Sequence, residues 1–271
     1  MRIMSTSQNE KVNEVREVKE ITVQNAQNAV LTEVDDAQLD ALLEQEINNV
    51  MQMGGFDYRP GKIGIMHREK KFISTDGQTA NSLTGTIVYF HKARGYWQEE
   101  GQQVPTCSSM DGVTGIRRIT EDGSETEIVN CVNCPYNQFG SDPKGGAGKA
   151  CKEMRRLFVV EKDSILPAIL SVPPTSLKAF DQYMSALVSK RKAHIAYETI
   201  FRLEGAKGAG FDYSKVVFEL GDEHPKGKIR ELMKMRESVI AAAKNIAIEA
   251  DDYIGGTTNE DAALPDDGEV Y

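Results

Sequence analysis

The sequence predicts a mainly β fold with some α: a small barrel or sandwich of about five to seven short strands, carrying flanking helices and one inserted loop that holds cysteine. Three observations predict it. Apolar and polar residues alternate with strand period in several runs between Lys62 and Leu220. Helical spacing of apolar residues is confined to a few stretches, one of them just before the last pair of strands. All the cysteines, Cys107, Cys131, Cys134 and Cys151, fall in one turn-rich interval between the early and middle strands.

Taken in order, residues 1–34 are polar and lack a sustained apolar face, which predicts a flexible N-terminal arm. Asp35 or Asp36 can cap a helix bearing Leu39, Leu42, Ile47 and Met51, ended by Gly54 and Gly55, whose role is packing. Strands are expected over 62–67, 71–75 and 84–91, with Arg94 to Trp97 starting a hairpin partner. Inside the cysteine region, 115–119 and 125–130 form a small ribbon turned at Asp122-Gly123. The sheet resumes at 155–160 and 168–172. Thr175 or Ser176 then caps a helix to about Lys190, strands follow at 194–203 and 213–220, and a long helix runs from about Ile229 to Ala250. The expected organisation is an arm (1–34), a folded domain (35–248) with an insertion at about 105–153, and a disordered acidic tail (249–271).

The net charge of -9 is unevenly spread. Residues 1–50 carry 4 basic and 10 acidic side chains, and residues 249–271 carry 8 acidic and no basic ones. The remaining body has 28 basic against 23 acidic residues, so an acidic chain contains a mildly basic domain. No run is long and apolar enough to cross a bilayer as a helix, and the N-terminus lacks the apolar core of a secretion signal; a cytoplasmic location is expected.

The pair Cys131-Val-Asn-Cys134 has the spacing by which two thiolates grip one metal from a single turn. A tetrahedral Zn²⁺ needs two more ligands, and Cys107 and Cys151 are the remaining cysteines, each beside glycine or proline segments that can bend it back. His91 or His67 replacing one cysteine is the alternative. Disulfides fit a reducing compartment poorly, and a redox pair should open a helix, whereas Pro135 and a glycine-rich loop follow here. Four sulfur ligands leave no position for a catalytic water, so the expected zinc is structural.

Holding a single strand of nucleic acid takes cations for phosphates and flat rings on which bases stack. Cations in and beside the cysteine region are Lys92, Arg94, Arg117, Arg118, Lys144, Lys149, Lys152, Arg155 and Arg156, with Lys190, Arg191 and Lys192 beyond. Tyr89, Tyr96, Trp97, Tyr136 and Phe139 are interleaved with them. Strand rings such as Tyr89 are commonly core, whereas Tyr96, Trp97, Tyr136 and Phe139 stand among polar and glycine residues. The run Gly145 to Lys149 lacks the Ser or Thr of a phosphate loop, and no nucleophile, histidine or carboxylate arrangement of an enzyme is found. The tail combines Asp266, Asp267 and Glu269 with a terminal Val270-Tyr271, an arrangement able to dock a basic, apolar pocket on a partner or to fold onto the chain's own cationic groove.

A basic body with a cysteine-rich loop inserted among strands, followed by an acidic tail ending in an aromatic, resembles the phage replicative single-stranded DNA-binding proteins over roughly residues 56–271. The T-even phage type has zinc in its binding domain, the T-odd type has such a tail, and the large subunit of eukaryotic replication protein A has a four-cysteine ribbon inserted in an OB-fold. The resemblance implies an OB-fold-like barrel with a zinc insertion and sequence-independent binding of single-stranded DNA in replication, recombination or repair. It also implies recruitment of polymerase or helicase and primase through the tail, a possible homo-oligomer and no enzymatic activity. Two features depart from the T-even type: four cysteines stand where it uses a histidine among its ligands, and its basic N-terminal cooperativity motif has no counterpart in Met1 to Lys19. The other class of function compatible with these residues is a zinc-ribbon adapter that binds a polymerase.

Overall fold

The computed structural model describes residues 35–52, 59–143, 145, 147–207 and 212–254. The expected arm, the stop at Gly54-Gly55, Lys144 and the tail from 255 onward lie outside the described residues. The chain divides into two compact units, residues 1–59 and 60–271.

In the first unit, helix α1 (Asp36–Gln52) begins as the sequence predicts: the Asp35 carboxylate accepts the Gln38 N–H at 2.8 Å, an N-cap. Its leucines Leu39, Leu42 and Leu43 are about half exposed, and the side chains of Ile47 and Met51 lie outside the described residues.

The second unit is a mixed sheet of eleven strands: β1 (Lys62–Met66), β2 (Lys71–Ile73), β3 (Thr79–Ala80), β4 (Ser82–Tyr96), β5 (Cys107–Ser109), β6 (Thr114–Arg118), β7 (Thr126–Asn130), β8 (Lys152–Glu161), β9 (Pro167–Val172), β10 (Tyr197–Lys207) and β11 (Asp212–Glu223). The strand order is β3-β2-β1-β9-β8-β4-β5-β6-β7, with β10 paired to β4 and β11 to β10. The sheet is not closed: among the described residues β11 pairs with no strand but β10, and the outer edge of β9 is taken by β1 in parallel. Helix α2 (Leu177–Ser189) joins β9 to β10, and helices α3 (Lys226–Ala243) and α4 (Ala250–Ile254) follow β11.

The 15-residue strand β4 is the axis of the unit. One edge pairs with β8 along most of its length; the other pairs first with β10 and then with β5. The sequence reading broke this strand between His91 and Arg94, but no turn residue stands there, and a register shift between Ile87 and Tyr89 lets the strand bend and continue to Tyr96. Through that bulge Ile87 packs into one core, while Val88 and Tyr89 both join the other.

Both sheet faces are covered, which is why Leu157-Phe158-Val159-Val160 of β8 reads as a continuous apolar run. Leu157 and Val159 join Ile65, Phe72, Leu170, Phe201 and Val216 beneath Phe180 and Leu187 of α2. Phe158 and Val160 pack with Val88, Ile169 and Ile195 beneath Leu232, Val239 and Ala243 of α3. A third cluster of Ala93, Met154 and Ile248, with Trp97 and Met110 against it, extends the second toward the cysteine region.

Three local expectations change. Ser176 precedes α2, yet its hydroxyl accepts the Val216 N–H at 2.9 Å instead of capping, so it ties the helix start to β11. His194 to Ala196 form a single 3-10 turn before β10. The helix expected over 229–250 ends at Ala243, because Arg156, fully buried, draws the carbonyls of Ile246 and Ala247 out of a helical ladder at 2.8 and 3.3 Å.

Candidate functional site

The cysteine region forms the far edge of the sheet. β5 extends from β4, and β6 and β7 make the expected ribbon, with Ile116 opposite Ile128. Asp111 accepts the N–H groups of Val113 and Thr114 at 2.7 Å each, setting the turn into β6 and holding its carboxyl below the usual range. Asn130 accepts the Val132 N–H at 2.8 Å, and the Cys131 N–H reaches Val113 O at 2.8 Å, fixing the two-residue turn between Cys131 and Cys134. After a 3-10 turn (Pro135–Asn137), the Ser141 hydroxyl donates to Tyr136 O and accepts the Ala150 N–H, both at 3.0 Å, and Cys151 N donates to Tyr136 O at 2.8 Å. These bonds bend Cys151 back toward the pair.

Cys107, Cys131, Cys134 and Cys151 consequently line one hollow of about 10 Å³, together with Tyr96, Arg117, Val129, Tyr136 and Asn137. That is about the space of one water-sized sphere. No histidine lines it: His67 bonds the Ser214 hydroxyl at 2.8 Å, and His91 Nδ1 lies 3.0 and 2.9 Å from the carbonyls of Lys92 and Met110. Gly115 makes the hollow possible, since a Cβ there would stand 3.1 Å from Cys107 Sγ and 3.4 Å from Cys131 Sγ. None of the four thiols is in a disulfide. Burial, with the neighbouring sulfurs adding, pushes Cys107 up to about 11; burial outweighs nearby Arg94 and pushes Cys151 up to about 12. Among the described residues no set of three or more His, Cys, Asp or Glu is gathered tightly enough to grip an ion as it stands. The donor chemistry and the size of the hollow fit a soft tetrahedral cation once the thiols draw inward; such an ion would staple β5, the turn and the loop, with no open position for chemistry.

Rings and cations border this hollow. Tyr96 and Tyr136 are stacked, centroids 4.2 Å apart and planes 15° apart, with the Arg117 guanidinium 5.8 Å from the Tyr136 ring. Tyr136 and Phe139 are exposed, and Lys149 Nζ lies 4.4 Å from the Phe139 centroid. The other two rings are placed differently. Tyr89 packs beneath α3 against Phe158 and His91, and Trp97 folds back over Gly95 into the third cluster.

Most of the expected phosphate cations are engaged inside the chain. Glu153 binds three of them: Arg94, Arg155 at 2.7 Å and Lys92 at 3.3 Å. Burial alone would raise its carboxyl, but these partners hold it below the usual range. Arg94 is buried and also donates to Gly112 O at 3.2 Å and Asn137 Oδ1 at 2.6 Å, while Asn137 donates to Cys131 O at 2.6 Å. Arg94 thus braces the cysteine turn from behind, and Arg156 clasps the C-terminal segment; neither reaches the surface assigned to it from sequence. Arg117 pairs with Glu127 at 2.9 Å, Lys152 with Asp142 at 2.8 Å, and Arg118 donates to Glu121 O. Glu153 and Asn137 were missed in the sequence. Strand register supplies the signal for the first, because Glu153 stands opposite Arg94.

The start of the acidic tail is also part of the fold. Asp252 is buried, accepts the Ser171 hydroxyl at 2.9 Å and the Glu249 N–H at 3.0 Å, and lies 3.7 Å from Arg156 Nε. Glu249 pairs with Lys62 at 2.7 Å. The boundary expected at 249 therefore falls too early. Compared with known proteins, the chain matches no family model, no curated protein and no solved structure.

Proposed function

We propose that this chain is a non-enzymatic binder of single-stranded DNA, acting in replication, recombination or repair, whose cysteine loop presents rings to the bases. The observation that carries the reading is the exposed Tyr136 ring, stacked on Tyr96 with Arg117 alongside, on the turn that the four thiols surround. Strand order supports it. β4, β8, β9, β10 and β11 run in the sequence of a five-stranded, partly open OB barrel, with α2 between the third and fourth strands. In that frame the cysteine loop is the connection between the first two strands and the β10–β11 turn joins the last two, the loops by which such barrels hold oligonucleotides. The edge of β9, where β11 would close the barrel, is instead held by β1. Cys107, Cys131, Cys134 and Cys151 would hold a structural Zn²⁺, and the tail residues Asp266, Asp267, Glu269, Val270 and Tyr271 would recruit a replication protein or compete with DNA.

Titration of a labelled oligo-dT at two salt concentrations tests this. Tight binding at low salt, falling steeply with salt, is expected. Tyr136→Ala should weaken it by about 1 to 3 kcal/mol, the worth of one stacked base. A wild-type protein that ignores the oligonucleotide at low salt overturns the reading. One observation favours a protein adapter: Ile116 and Ile128, paired across the ribbon, are 54% and 81% exposed. Ile128→Glu abolishing a partner contact in a protein that never binds DNA would establish that alternative.

A further inference from the structure

The strongest charge signal left by the fold lies away from the cysteine region. Residues 226–244 carry six cations, Lys226, Lys228, Arg230, Lys234, Arg236 and Lys244, against Glu231 and Glu237. Lys226, Arg230, Lys234 and Lys244 are exposed, and among the described residues none has a side-chain hydrogen bond or ion pair; Lys228 approaches Glu231 at 3.9 Å. At about 100° per residue Lys226, Arg230 and Lys234 stand on the face of α3 opposite Leu232, Val239 and Ala243, which are buried against the sheet; Glu237 shares that face, and Lys244 caps the helix end.

A solvated helix face does not account for the arrangement. Lys226 and Arg230 are like charges four residues apart, a spacing that destabilises a helix, whereas Lys234 has Glu231 and Glu237 three residues to either side. The first turn has no acidic residue, so Lys226 stands where the helix field repels cations, whereas Lys244, at the C-cap, stands where it attracts them. The ribbon cations, by contrast, are mostly neutralised by Glu153, Glu127 and Asp142. A polyanion laid on α3 would relieve a repulsion that the fold itself leaves standing.

We propose that the outer face of α3 is a second binding surface, taking the phosphate backbone of a single strand whose bases stack at the cysteine loop. The inference rests on the single-strand reading above and adds to it where the charge is met. α3 lies lengthwise on the unit: beside its start the His224 ring bonds the Thr86 hydroxyl of β4 at 2.7 Å, and beyond its end Ile248 joins Trp97 at the cysteine region. It spans about 27 Å at 1.5 Å per residue. In β4, Ala93 faces the Ile248 end of this segment whereas Arg94 and Tyr96, on the other face, reach Asn137 and Tyr136, so a strand leaving Tyr136 would pass round the sheet to meet the row of cations.

The test is an oligo-dT titration across salt with the full chain and with a combined variant, Lys226→Gln, Arg230→Gln, Lys234→Gln and Lys244→Gln. Because these side chains have no internal partners, the thermal midpoint should be unchanged or higher. The salt slope should fall by about 2 to 3, at roughly 0.7 for each lost phosphate contact, with affinity at low salt down at least tenfold. Wild-type binding with an unaltered slope in the variant overturns this inference and leaves the single-strand reading standing. Failure of the wild type to bind overturns both. Loss of binding to anionic vesicles in the variant, with oligonucleotide binding intact, would assign the face to a membrane and also overturn the proposal.

Discussion

Glu153 shows how much one carboxylate decides at the scale of a residue. It neutralises Lys92, Arg94 and Arg155, and Arg94 in turn holds Asn137 behind the cysteine turn. Its folded pKa is depressed from the ordinary 4.5, so its contribution is present above that value and is lost as pH falls through the lower folded one. Glu153→Gln should therefore cost about 2 kcal/mol at neutral pH, the scale of a charged hydrogen bond. The difference from wild type should shrink toward zero below pH 4.5, read by urea unfolding at several pH values. Gly115 acts through absence. Gly115→Ala places a methyl against two thiols, so if the four thiols hold zinc as proposed, the variant should lose it, measured by elemental analysis, while the far-ultraviolet spectrum of the sheet persists.

At the scale of the element, much of the fold was legible. The runs at 62–66, 114–118, 126–130 and 167–172 appear as strands close to their expected bounds, since alternation of β-branched residues is a local signal. The cysteine spacing likewise pointed to one place, and the four thiols line one hollow. What failed depended on partners distant in sequence. The end of α3 is set by Arg156, about 90 residues earlier, and no glycine or proline marks it. Arg94 and Arg156 read as surface cations because a carboxylate or carbonyl across the fold leaves no local trace. The strand reading stopped at His91, but pairing of Lys92, Ala93 and Arg94 with β8 carries β4 on to Tyr96.

For the whole molecule, charge and architecture separate at the C-terminus. Arg156, Asp252, Ser171 and Lys62 bind residues 246–252 into the unit, and Ala250 N donates to Gln103 O at 2.8 Å. Truncation after Ile254 should leave the thermal midpoint unchanged, whereas truncation after Asn245 should lower it and cost about 3 to 5 kcal/mol, because Arg156 would be left buried without a partner. The first truncation should also tighten oligonucleotide binding at low salt if the tail competes for the cations. Unchanged or weaker binding would remove competition from the account.

The open seam beside β9 has a mechanical meaning. β10 bonds to β4 only from Thr199 to Arg202, and beyond that the β10–β11 hairpin is bonded to itself as far as Lys207 and Asp212. Four residue pairs therefore join the hairpin to β4, and the rest of its hold comes from the Val216 N–H on Ser176, the Ser214 hydroxyl on His67 and the burial of Phe201 and Val216 beneath α2. The gap in backbone bonding beside β9 is thus closed by side chains packed and bonded beneath α2.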